Sequence, residues 1–236
     1  MLKVLKCFLS ILLFASTFAA ASEETQVYLE GNKIYYQGQL TQSANEKVFK
    51  IYKENKNNIK WISIKSTGGE VNAGLDLAEF INENDLNIEV TEYCLSSCAN
   101  YIFTAANEKL IAKNALIGFH GGTTGMDASV AEFINTLPES EREITRKKLV
   151  EYGVATSKRE ADFFKKINIT RDITTLGQSD KYKTYAEAED YVGWYYSISG
   201  LNKLGIKNIS VLNPPWTLKQ LSEKSQFFKV EDSDIQ

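Results

Sequence analysis

Hydrophobic and polar positions fall in short blocks that predict a series of elements. Residues 27–30 and 33–38 are β-rich and flank Gly31-Asn32, the pattern of a hairpin. In residues 45–55, Val48, Ile51 and Tyr52 fall at helical spacing. Residues 59–64 (IKWISI) form a short, mostly apolar run that predicts a strand running into Ser66-Thr67-Gly68-Gly69. Val71, Gly74, Leu75, Ala78 and Ile81 mark one face of an amphipathic helix. Leu86, Ile88 and Val90 alternate as in a strand, and residues 97–106 predict a buried helix. Residues 110–112 and 115–119 predict two more strands, followed by His120-Gly121-Gly122. From 127 to 169 the pattern is helical and highly charged; 184–191 suggests a further helix and 195–198 a last strand. Past Pro214-Pro215 the chain is polar and ends acidic, which predicts a partly disordered tail. Strands alternating with helices predict an α/β fold with a largely parallel sheet.

Residues 1–21 are expected to be an address rather than a structural element. Lys3 and Lys6 precede an apolar stretch over 8–14, and Ala19-Ala20-Ala21 offers a cleavage site, as in a secretory signal peptide. The apolar stretch is short for a membrane span, with an uncleaved anchor as the alternative. Cleavage near Ala21 removes two lysines and no acid, taking 27 basic residues to 25 against 30 acidic and the net charge from −3 to −5. It also removes Cys7 and leaves Cys94 and Cys98 in a periplasmic or secreted protein. The acidic balance argues against a nucleic-acid partner. A hydrophobic fraction of 43% excludes a disordered chain, and 236 residues suit one domain or at most two small ones. His120 is the sole histidine. No P-loop, no G-x-G-x-x-G and no basic cluster marks a CoA or nucleotide site, so no cofactor is expected.

Three turns after predicted strands carry candidate chemistry, because ligand sites in open α/β sheets form at strand ends. Gly68-Gly69 frees backbone N–H groups to face a ligand or a developing oxyanion, or is simply a tight turn. Cys94-Leu95-Ser96-Ser97-Cys98 opens a helix, where a nucleophile and its oxyanion gain from the helix dipole; a serine there also serves as a plain cap. His120 ends a strand, as a base or as a structural residue.

The order strand, STGG, helix, strand, CLSSC, helix, strands, FHGG resembles the ClpP/crotonase superfamily, and within it the caseinolytic Clp protease subunit. The matching segments ISIKSTGGEVNAGLDLAEFI and SSCANYIFTAANEKLIAKNALIGFH lie within residues 34–120, with a fainter match over 184–198. Thr104-Ala105 places Ser97, not Ser96, in the nucleophile position, with His120 following 23 residues later. The chain is closer still to small exported ClpP-like proteins with a C-x-S-x-C serine motif. The resemblance implies an α/β spiral of β-β-α units over 22–212, with a helical segment after the histidine strand and a polar tail over 213–236. It implies a serine hydrolase acting on peptides or proteins. Ser97 Oγ attacks a carbonyl, His120 takes its proton and returns it to the leaving group, and the N–H groups of Gly69 and Cys98, beside Gly68, hold the oxyanion.

Three positions depart from the family. Thr67 stands where the family turn has proline, Asn100 is an unusual residue in the serine helix, and Leu176 falls near the slot of the third triad member, an aspartate. Asp180 is the first candidate for that role and Asp172 the second. A triad without its carboxylate loses orders of magnitude in rate, so a Ser–His dyad and a catalytically inactive binding or assembly module on the same fold are the alternatives. The charged run 139–148 reads as a solvated helix face. The family uses the corresponding region as a handle in oligomer contacts, which suggests a homo-oligomer. An exported protein lacks cytoplasmic ATP, so no ATPase partner is expected.

Cys94 and Cys98 form an even pair in an oxidising compartment, and a helical or tight turn sets their Cα atoms about 6 Å apart, within disulfide range. The alternatives are two small buried residues, thiol chemistry near His120, and a zinc held by Cys94, Cys98 and His120.

Overall fold

The computed structural model describes residues 24–124 and 126–235. The expected signal peptide, with Cys7, lies outside the described residues. Strands β1 (Gln26–Glu30) and β2 (Lys33–Gln37) form the expected antiparallel hairpin. Helix α1 (Gln42–Asn55) starts at Thr41, whose hydroxyl accepts from the Ala44 N–H and so satisfies one of the free donors of the first turn. Strand β3 (Trp61–Ser66) leads through the glycine turn to α2 (Val71–Glu83), capped in the same way by the Glu70 carboxylate. Strand β4 (Asn87–Leu95) runs into a helix over 97–105 that is wound as a π-helix through Cys98–Phe103. Strands β5 (Lys109–Ala112) and β6 (Leu116–Gly118) follow.

These strands build one mixed sheet in the order β1-β2-β3-β4-β5-β8, where β8 spans Ile209–Leu212. All pairs but the β1–β2 hairpin are parallel. The long β4 pairs β5 through Ile88–Val90 and β6 through Tyr93–Leu95, so it forms the spine of the sheet. Ile62, Ser63 and Ile64 are consecutive and all buried, as a parallel strand covered on both faces requires. Leu75, Ala78 and Ile81 of α2 and Tyr101, Ile102 and Phe103 of the serine helix join that core.

The charged helical stretch divides into α3 (Met126–Thr136) and α4 (Glu139–Lys166), parted at Leu137-Pro138. Proline there fits the first turn of α4 but cannot continue α3. Two expectations change in the C-terminal third. The helix expected over 184–191 is only the short α5 (Lys183–Ala186), and the strand expected at 195–198 lies earlier, as β7 (Tyr191–Tyr195). The run Tyr191-Val192-Gly193-Trp194-Tyr195 is β-rich, while Ser197 caps α6 (Ile198–Lys203). The stretch expected as a loosely ordered tail supplies β9 (Gln226–Lys229), paired in parallel with β7 in a second, two-stranded sheet. Phe227, Phe228, Val230 and Ile235 are buried, and the Phe228 ring stacks on Tyr185 at 4.8 Å and Tyr182 at 5.3 Å. That apolar area outweighs the polar residues around it. The α/β class matches the expectation.

Candidate functional site

The three candidate turns meet at the adjoining carboxyl ends of β3, β4 and β6. Ser66, the last residue of β3, pairs with Cys94, and Leu95, the last residue of β4, pairs with Gly118 at the end of β6. The strands are parallel and adjacent, so the loops after them emerge side by side. Ser97 and His120 each lie two residues beyond the Leu95–Gly118 pair.

Local geometry turns Ser97 into its helix. Ser96 takes a left-handed conformation, φ 56°, and donates its N–H to the Gly118 carbonyl at 2.9 Å. Ser97 is already helical, φ −56° and ψ −27°. Cys94 and Cys98 are joined in a disulfide with Cα atoms 5.2 Å apart, across this reversal. The bond ties the end of β4 to the first turn of the helix. It removes both thiols from nucleophilic chemistry and two of the three ligands from the zinc alternative.

Gly68 closes the site from the β3 side. Its φ is +89°, and a Cβ there lies 2.6 Å from the Leu95 carbonyl oxygen and 2.7 Å from Ser96 Cβ. Only glycine permits both the conformation and the approach. The Gly68 N–H donates to Ser66 Oγ at 3.1 Å, which leaves exposed Gly69 as the glycine whose N–H suits an oxyanion.

Ser97 is 3% exposed, and its Oγ donates to the Gly69 carbonyl at 2.9 Å. His120 is half-buried. Burial holds its pKa below the usual histidine value against a smaller opposing effect from a hydrogen bond to its own backbone, so the ring is neutral at physiological pH. Among the described residues Ser97 and His120 share no hydrogen bond. Asp180 and Asp172 are both exposed and neither is hydrogen-bonded to His120; Leu176 packs half-buried against the core.

What joins the serine helix to the histidine segment is a set of residues that spacing did not single out. Asn100, one turn after Ser97 and almost fully buried, donates from Nδ2 to the Gly121 carbonyl at 2.7 Å. Tyr101 donates to Glu160 Oε1 at 2.7 Å; Thr123 donates to the same carboxylate from its N–H at 3.2 Å and its hydroxyl at 2.6 Å. Arg171 completes the cluster, 2.8 Å from Glu160 Oε2 through Nε and 2.9 Å from Ser157 Oγ. Glu160 is fully buried. Burial, with the Glu160 charge second, pushes the Tyr101 phenol well above its usual range, so it stays a donor. This cluster clamps the helix of Ser97, the loop after His120 and α4 to one another. In sequence Glu160 lies within the charged helical stretch 127–169 and Arg171 just beyond it, with nothing to single out either. Asn100 was visible only as a departure from the family pattern.

Two surface clefts lie elsewhere. One, of about 200 Å³, includes Lys109 and Asn208; the other, of about 340 Å³, runs along α4 beside Glu79 and Arg159. Lys109 is buried, donates to the Ala106 carbonyl at 2.5 Å and the Lys207 carbonyl at 3.2 Å, and is pushed down to about 8 by burial. It thus caps the C-terminal end of the serine helix, a structural use that suits a cation there. Among the described residues no helix is long and apolar enough to cross a membrane, and no cluster of three metal-ligating side chains occurs. No protein-family model matches the chain, and no curated protein matches it.

Proposed function

We propose that the chain is an exported serine hydrolase acting on peptides, with Ser97 as nucleophile and His120 as base. The observation that carries this reading is the meeting of the 67–69, 96–97 and 119–121 turns at the adjoining ends of β3, β4 and β6. The ClpP-like order of the motifs and the disulfide, which suits an oxidising compartment, support it.

In this mechanism Ser97 Oγ–H leaves the Gly69 carbonyl and turns to the neutral His120 ring. Exchanging that hydrogen bond costs about 1 kcal/mol, a factor of about ten at most in rate. Oγ attacks the substrate carbonyl carbon as its proton passes to His120. The carbonyl oxygen becomes an oxyanion, held by the N–H groups of Gly69 and Cys98. The bond to the leaving amine then breaks, and His120 returns the proton to it. Water repeats the sequence on the acyl-enzyme and frees Ser97. The substrate is a peptide or protein segment, with no nucleic acid and no ATPase partner in the scheme. The exposed Ile144, Val150 and Val154 of α4 offer a surface for self-assembly.

A second reading is a binding module that no longer turns over substrate. It is favoured by the Ser97 hydroxyl resting on Gly69 and by the exposure of Asp172 and Asp180, neither of which is hydrogen-bonded to His120. A fluorophosphonate probe separates the two. The hydrolase labels at Ser97, and Ser97→Ala abolishes labelling. Folded, oxidised wild-type protein that takes no label overturns the hydrolase reading.

A further inference from the structure

One end of the Asn100 amide is engaged, beside Gly121 and the Tyr101 phenol, and the other is not. Its Nδ2 holds the Gly121 carbonyl at 2.7 Å, while its Oδ1 is a buried side-chain acceptor with no partner, the only such atom among the described residues. An unpaired buried acceptor costs about 1–3 kcal/mol. Holding the Gly121 carbonyl accounts for Nδ2 but not for the orphaned oxygen, which needs a reason of its own. Asn100 lies on the inner face of the helix that begins at Ser97, and its partner Gly121 directly follows His120. The third group of a serine triad orients the imidazole by accepting its second ring N–H, and here no carboxylate does so.

We propose that Asn100 is the positioning residue for His120: Nδ2–H fixes the backbone after the histidine, and Oδ1 accepts the ring N–H when His120 acts as base. This rests on the reading of Ser97 and His120 as the reacting pair. Among the described residues no other side chain is hydrogen-bonded to the ring; rotation of the His120 side chain brings its N–H to the amide oxygen. A neutral amide oxygen orients an imidazole without adding negative charge, so it steadies the imidazolium less than aspartate does. It fits a site whose histidine is held neutral by burial. The other polar groups around this segment are already engaged or exposed. Glu160 and Arg171 pair with each other and with Thr123, Gln178 Nε2 reaches only the His120 carbonyl at 3.5 Å, and Asp172 and Asp180 are exposed.

His120 is the sole histidine, so NMR titration reads its ring without assignment and without turnover. In wild-type protein the neutral ring is expected as a single tautomer with an exchange-protected N–H. Asn100→Asp is expected to raise the His120 midpoint by about one unit or more, since an opposite charge within a few ångströms does so. Asn100→Ala is expected to give mixed tautomers and to slow Ser97 labelling by about tenfold or more. A His120 midpoint unmoved by Asn100→Asp, or an unchanged tautomer in folded Asn100→Ala, overturns the proposal. If both variants fail to fold, the wild-type spectrum decides: a freely exchanging ring of mixed tautomers overturns it. A positive NMR result with no probe labelling retires the hydrolase and keeps the Asn100–His120 contact, so the two failures are distinct.

Discussion

Gly68→Ala tests whether the glycine turn is pressed against the serine segment as described. At φ +89° an alanine meets a conformational cost of roughly 1–2 kcal/mol. Its Cβ also falls 2.6 Å from the Leu95 carbonyl oxygen and 2.7 Å from Ser96 Cβ. Both belong to a turn tied by the Cys94–Cys98 disulfide and the Ser96–Gly118 hydrogen bond, so neither moves freely. Forced overpacking of this kind costs about 1–3 kcal/mol, for a total of roughly 2–5 kcal/mol. Gly31→Ala is the control. It has φ +60° with nothing within 4 Å of the added Cβ, so it carries the conformational cost alone. Urea denaturation of the two oxidised variants should differ by about 1–3 kcal/mol, the packing contribution at Gly68. Only Gly68→Ala should slow labelling of Ser97. Equal destabilisation of the two variants refutes the close approach of the turn to Ser96 and Ser97.

Other consequences are as specific. Glu160→Ala leaves Arg171 unpaired and strips acceptors from Tyr101 and Thr123, and should cost about 3–5 kcal/mol in denaturant unfolding, against roughly 1 kcal/mol for Tyr101→Phe. Because burial lowers the His120 pKa, the unfolded chain binds the extra proton first. Stability from this group is complete above about pH 6.5 and is lost as pH falls from there toward the folded value. Urea midpoints at neutral and mildly acid pH should show that loss in wild type and a smaller one in His120→Gln. The disulfide closes only a very short loop, so replacing both of its cysteines by alanine should cost about 2 kcal/mol or less in chain entropy. A larger effect on Ser97 labelling than on the urea midpoint is expected, since the bond lies across the serine turn.

The N-terminal half of the fold was legible because its signals are local. Short apolar runs ending in glycine or serine turns mark β3, β4 and β6, and the helical spacing from Val71 to Ile81 marks α2. The same turns fixed the candidates Gly68, Ser97 and His120. Other features depend on distant partners. Phe227 and Phe228 looked like isolated aromatics in a polar stretch, and only pairing with β7 and stacking on Tyr182 and Tyr185 makes them core. Glu160 has the composition of a solvated residue, and its burial follows from Tyr101, Thr123 and Arg171 arriving from three other segments. The family resemblance places a carboxylate after α4, at Asp180 or Asp172; both are exposed, and a buried polar side chain that reaches the histidine segment comes from the serine helix itself, at Asn100.

The most direct test of the central claim joins the two residues in one experiment: the pH dependence of Ser97 labelling set against the NMR titration of His120. A reacting pair predicts that the labelling rate falls through an acid inflection at the His120 midpoint, below about pH 6.5, and that His120→Gln removes the inflection with most of the rate. Labelling that is independent of pH across the His120 titration, or that survives in His120→Gln, contradicts the account.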